Sequence, residues 1–224
     1  MTDVITAARW WTMDYAYAVA WQVRAKFNRT DPASFRGGEG PPVIVLPGIY
    51  ETWKFMQPIV ATLHDRGHPV HVVETLQRNL RPVIEMAQRV TEYLEQNDLR
   101  DVILVAHSKG GLAGKLVMAG EAAQRVRGMI AVSTPFGGSR YARVMPIRSL
   151  RALAPDDASI MSLSRDLTVN SRIVSVYPRF DPHIPESSRL PGAKNVCLDT
   201  GGHFRILAHP RVLAEVAALA ERGE

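Results

Sequence analysis

The sequence predicts an α/β domain: a mostly parallel central sheet with helices on both faces and a short lid-like insertion. Three observations carry that reading. Short apolar runs such as Val43-Ile44-Val45-Leu46 and Met129-Ile130-Ala131-Val132 recur along the chain, as strands buried on both faces require. Segments with helical spacing alternate with them, the clearest from about Leu80 to Gln96, with Val83, Met86, Ala87, Val90, Tyr93 and Leu94 on one face. Third, Val102-Ile103-Leu104-Val105-Ala106-His107-Ser108-Lys109-Gly110-Gly111 runs from an apolar strand to a serine, two glycines and a helix-forming stretch. Strand, sharp turn and helix with Ser at the apex describe a nucleophile elbow.

The chain has 224 residues, 46% of them hydrophobic, enough for one sizeable core. The net charge of +5 comes with scattered arginines and no long basic block. That argues against a nucleic-acid partner and permits affinity for anionic surfaces. The one cysteine, Cys197, excludes an intramolecular disulfide. In Asn195-Val196-Cys197-Leu198 it reads as a buried small hydrophobe. The expected location is the cytoplasm.

Residues 1–42 read as an N-terminal helix and a linker, and 43–224 as the main domain. Residues 1–27 hold three of the four tryptophans. Asp14 and Arg24 bracket an apolar run of only about nine residues, against the roughly 20 needed to span a bilayer. A charged n-region and a clean cleavage site are missing. The preferred reading is a helix packed on the domain. The alternative is peripheral membrane contact through Trp, Tyr and flanking basic residues. Residues 28–42 are a linker, since Gly37-Gly38-Glu39-Gly40 lacks the spacing and preceding strand of a phosphate loop.

From Val43–Leu46 the chain passes through Pro47-Gly48-Ile49-Tyr50 to a helix ending near Arg66, then to a strand at Val70–Val73. The helix after the elbow is expected from Lys109 to about Arg125. An excursion at about 134–168, with helical pieces near Ile147–Leu153 and Asp157–Leu163, breaks the rhythm at the edge where a site would be covered. Strands at Arg172–Tyr177 and Asn195–Leu198 and a helix from about Pro210 to Arg222 complete the domain.

A serine hydroxyl at neutral pH needs a base, and the base needs an orienting acid. Asp181 follows one late strand and His203 the last, in the order serine, acid, histidine. Asp199 is the runner-up acid; Asp156, Asp157 and Asp166 lie in the excursion and are worse placed. Singly, Asp181 before Pro182 also reads as a turn initiator, and His203 as a loop histidine. The oxyanion donors expected are the N–H of Lys109, after the nucleophile, and that of Ile49. Tyr50, Phe136 and Met145 are expected at the substrate pocket, with Ile147 and Leu150 nearby; helix packing accounts for the excursion's apolar residues equally well. Gly110-Gly111-Leu112-Ala113-Gly114-Lys115-Leu116 fails as a P-loop in spacing and in its last residue. His64, His68 and His71 share no face and read as surface histidines, so no metal site is expected.

With these residues in hand, the chain resembles the α/β-hydrolases, and within them the small bacterial lipases and esterases. The resemblance covers roughly residues 43–220. It rests on Leu46-Pro47-Gly48-Ile49, Ala106-His107-Ser108-Lys109-Gly110-Gly111, Ser133-Thr134-Pro135-Phe136-Gly137-Gly138-Ser139, the Asp181 loop and Gly202-His203. Pro47 stands where many members have His, and the excursion is short for a lid over a long acyl chain. The resemblance implies hydrolysis of a small-molecule or lipid carboxylic ester through an acyl-enzyme, without a cofactor. Acyl transfer by the same intermediate, and a non-catalytic binding protein on this fold, are the alternatives.

Overall fold

The computed structural model describes residues 3–221. Met1 and Thr2, expected in the N-terminal helix, and Arg222, expected to end the last one, lie outside the described residues. Strands β1 (Val43–Leu46), β2 (Val70–Val72), β3 (Val102–His107), β4 (Val126–Val132), β5 (Ile173–Phe180) and β6 (Lys194–Gly201) form one sheet. Their order is β2-β1-β3-β4-β5-β6, and each neighbouring pair is parallel. β1, β2 and β3 are buried at every position, which explains why β1 and all of β3 up to His107 read as unbroken apolar runs without alternation.

Among the described residues, seven α-helices accompany the sheet: α1 (Val4–Phe27), α2 (Gln57–Asp65), α3 (Val83–Gln96), α4 (Lys109–Ala119), α5 (Arg148–Arg151), α6 (Ala158–Arg165) and α7 (Pro210–Ala220). Side chains of a strand alternate between faces, and two cores follow from that. Ile44, Leu46, Leu104, Ala106, Met129 and Ala131 pack with α3, α4 and α6. Val43, Val45, Ile103, Val105, Ile130 and Val132 pack with α2, α7 and Ala18 of α1.

The chain leaves β1 for β2 on one side, then returns to β3 on the other. Such a reversal opens a crevice beyond the carboxyl ends of the two central strands. Leu46 pairs with Ala106 there, so the loop after β1 lies beside the turn after β3.

Local chemistry moved several expected boundaries. α3 begins at Val83 and not near Leu80, because Pro82 is its N-cap and disfavours helix in the residue before it. α4 stops at Ala119, where Gly120 is extended, and only a 3-10 turn covers Ala123–Arg125. A 3-10 turn at Trp53–Met56 precedes α2. The excursion contains a 3-10 turn (Arg140–Val144), the single turn of α5, and α6, whose N-cap Asp157 accepts from Ser159 N–H at 2.9 Å.

Cys197, His68 and His71 differ in burial from expectation. Cys197 is exposed, because β6 is the edge strand. His68 and His71 are buried rather than on the surface. Their Nδ1 atoms bond Pro41 O at 3.0 Å and the Tyr93 hydroxyl at 3.3 Å, so packing the linker and α3 on β2 encloses them.

Asp3 is the N-cap of α1, its carboxylate accepting from Thr6 N–H at 2.9 Å. Its inward stripe is Trp10, Asp14, Ala18, Trp21 and Ala25, the i, i+4, i+8 rhythm of one helical face. Val4, Ile5, Val19, Val23 and Phe27 are exposed. No helix among the described residues is long and apolar enough to cross a membrane.

A close approach of backbone at Gly110 shapes the elbow. A Cβ on Gly110 would lie 2.2 Å from Leu46 O. Gly110→Ala must push α4 off β1, and overpacking of that kind costs about 1–3 kcal/mol or more. Urea unfolding should show at least that loss; unchanged stability would contradict the packing of α4 on β1.

Candidate active site

Ser108 joins β3 to α4 with φ 49° and ψ −122°, a backbone strain found where a turn holds a side chain in a fixed place. Its N–H donates to Val132 O at 2.9 Å, which fastens the turn to β4. Because β5 runs to Phe180, Asp181 follows it directly, and His203 lies just past β6. The structure brings the three side chains together. His203 Nε2 is 3.0 Å from Ser108 Oγ, and His203 Nδ1 is 2.9 Å from Asp181 Oδ2. A carboxylate only accepts, so Nδ1 carries the proton and Nε2 is free to accept from the serine.

Asp181 is fixed by its own loop: Oδ1 accepts from His183 N–H at 2.8 Å and Ile184 N–H at 3.1 Å. The runner-up, Asp199, is exposed and pairs with Arg179 at 3.2 Å. Asp156 is exposed beside Arg143, and Asp157 and Asp166 cap local turns.

The electrostatics separate the partners. Burial alone would raise the Asp181 pKa, but the charge and hydrogen bond of His203 and the N–H of His183 outweigh it and hold it at about 2. Burial alone would lower the His203 pKa. The charge and hydrogen bond of Asp181, followed by the charges of Glu51 and Asp14, outweigh that and raise it above its ordinary 6.5. Burial, then the His203 charge, pushes neighbouring His183 down to about 4, which keeps it neutral near pH 7.

Lys109 follows Ser108 directly, and Ile49 lines the same cavity as Ser108. The N–H of Ile49 has no hydrogen-bond partner among the described residues. Lys109 is the first residue of α4, where a helix N–H has no intrahelical acceptor. The Lys109 amine is buried and donates to Asn79 O at 3.0 Å and to Arg81 O, and burial lowers its pKa to about 8. Asn79 in turn donates to Pro47 O.

A cavity of about 670 Å³ opens onto Ser108 and His203. Tyr50, Met145 and Leu150 line it, with Val19 and Val23 of α1 opposite. Phe136 does not. It is 2% exposed in the core, with the Lys115 ammonium 5.9 Å from its ring centre. The 134–138 loop therefore sends Phe136 toward α4 and away from the cavity, and the pocket assignment for it is corrected. Ile147 is likewise not in the lining and is exposed. Lys115 closes the end of α6, donating to Leu163 O and Asp166 O at 2.7 Å each.

Two buried acids beside the site, Glu51 and Asp14, were not expected from the sequence. Glu51 accepts from Gly48 N–H at 2.7 Å and lies 2.8 Å from His107 Nδ1. His107 Nε2 is 3.0 Å from His203 O, so the ring bridges the loop after β1 to the histidine loop. Asp14 accepts the N–H groups of His203, Phe204 and Arg205, each at 2.8 Å. The available signal was its place in the apolar stripe of α1, between Trp10 and Ala18.

No protein-family model and no curated protein matches the chain. Solved structures do. A mature lipase of Bacillus licheniformis, BlEst2, is 18% identical over 86% of this chain and 95% of its own, with a TM-score of 0.61. The carboxylesterase CesB of Bacillus subtilis is 12% identical over 99% and 100%, at 0.55. A bromoperoxidase of Bacillus anthracis is 14% identical over 83% and 93%, at 0.56. At such identities the likeness carries architecture and no activity. The chain has the α/β-hydrolase fold.

Proposed function

We propose that this protein is a serine hydrolase that cleaves carboxylic esters through an acyl-enzyme. The observation that carries the reading is the unbroken hydrogen-bond relay from Ser108 through His203 to Asp181, set on a strained turn at the mouth of a cavity. Ser108 Oγ attacks the acyl carbonyl while His203 Nε2 takes its proton. Asp181 holds the tautomer and stabilises the imidazolium. The Ile49 and Lys109 N–H groups receive the oxyanion. The imidazolium returns the proton to the leaving alcohol; water, activated by the same nitrogen, then releases the acid. No step calls for a cofactor.

The cavity supports an ester with an apolar acyl part, since Val19, Val23, Met145, Leu150 and Leu153 face it. The excursion acts as a short lid by supplying the last three, and α1 forms the opposing wall. Exposed Val4, Ile5 and Phe27 on α1 support peripheral contact with a lipid surface that presents the ester. Vesicle flotation should weaken when these three are changed to Ser; equal flotation removes that contact from the account.

Wild-type protein should hydrolyse p-nitrophenyl esters of short and medium chains, and Ser108→Ala should lose turnover by several orders of magnitude. No hydrolysis of any ester by folded protein would overturn the reading. The base must be neutral, so kcat/KM should fall as pH drops through the raised pKa of His203, placing the acid limb above 6.5. Asp181→Asn should move that limb to lower pH and reduce turnover by about 10³–10⁴-fold. A limb that does not move would contradict the pairing.

A further inference from the structure

An acid in the middle of a helix ordinarily faces water. Asp14 is fully buried, which is costly unless its charge is met by donors. All three donors are consecutive backbone N–H groups of one loop: Oδ2 receives His203, and Oδ1 receives Phe204 and Arg205. The loop is shaped for this contact. Gly202 has φ +119°, and a Cβ there would lie 2.5 Å from Asp14 Oδ1. A Cβ on Gly201 would lie 2.4 Å from the Trp10 ring, one turn back along α1. The next residue of α1, Tyr15, places its hydroxyl 3.1 Å from His183 Nε2, on the loop that holds Asp181.

We propose that Asp14 is a positioning residue for His203: its carboxylate sets the 203–205 backbone so that the imidazole reaches Ser108, which makes the docking of α1 a condition of turnover. Asp14 touches the backbone of His203 and not its ring, so it acts through the loop. Asp181, His183 and His107 meet the His203 ring, and the charges of Glu51 and, from α1, Asp14 act on it from its surroundings. Asp14 is the one among them that belongs to the N-terminal helix. The kinetic part of this inference rests on the serine-hydrolase reading; its spectroscopic part does not.

The test compares wild type, Asp14→Asn, Asp14→Glu and Leu94→Ala. Asparagine keeps an oxygen for two of the N–H groups and turns an NH₂ toward His203 N–H, so it breaks the bond in question with little change of shape. Glutamate keeps the charge and displaces the oxygens. Leu94 lies near the end of α3 that feeds the amino edge of β3, so Leu94→Ala reports lost stability without touching the loop. The readouts are ester kinetics, the downfield proton resonance of the His203 Nδ1–H bonded to Asp181, and the His203 pKa from an NMR titration.

Asp14→Asn should lower kcat roughly ten- to hundredfold with KM held within about threefold. It should shift or abolish the downfield resonance and lower the His203 pKa. Asp14→Glu should lower kcat while the pKa stays near the wild-type value. Leu94→Ala should lose stability but keep kcat and the resonance. An Asp14→Asn protein with wild-type kcat and resonance overturns the proposal. Should Asp14→Asn fail to fold, Asp14→Glu decides by the same two readouts. A wild type without ester hydrolysis refutes the functional reading above, and the resonance and pKa then decide this inference alone.

Discussion

The His203 ring is held at both nitrogens, 2.9 Å from Asp181 and 3.0 Å from Ser108, and the rest of the structure can be understood as what those two contacts require. They join residues 95 and 22 positions apart in the chain. The parallel sheet spans that separation: the ends of β3, β5 and β6 each deliver one member to the same edge. Sheet topology brings the three near, but loops decide whether they meet. The strained turn at Ser108, the two N–H bonds on Asp181 and the grip of Asp14 on the 203–205 backbone make that decision.

Much of the architecture was legible because its signals are local. Doubly buried strands read as apolar runs, and the elbow combines a strand, a serine and Gly110, which must leave room for Leu46 O. Asp181 and His203 could be nominated from chain order, and Asp199 was separated from Asp181 only by the structure, in which it is exposed beside Arg179. Asp14 and Glu51 are acids that only tertiary partners make tolerable in a core: backbone N–H groups, which leave no mark in the sequence, and for Glu51 also the His107 ring. Phe136 was misplaced because loop composition does not say which way a side chain leaves. Cys197 was misplaced because an edge strand looks apolar in sequence while one side of it stays open.

The N-terminal helix has a larger part than its sequence suggests. It lines the cavity through Val19 and Val23, touches the acid loop through Tyr15, and meets the histidine loop through Asp14. On the proposed reading, one helix thus contributes to both substrate binding and the alignment of the base. Glu51 and His107 act from beneath, linking the N–H of Gly48 to the carbonyl of His203. The loop after β1, which on the proposed reading receives the oxyanion, and the histidine loop are therefore tied through this buried pair.

On the proposed reading, Ser108 is a nucleophile activated by His203. A fluorophosphonate probe tests it without knowledge of the natural ester, because it reacts covalently with activated serines. One equivalent of label per chain is expected, located on Ser108 by peptide mass spectrometry, with labelling that fades as pH falls through the raised His203 pKa and is lost in His203→Ala. Folded protein that takes up no label, or takes it up at a residue other than Ser108, would contradict it.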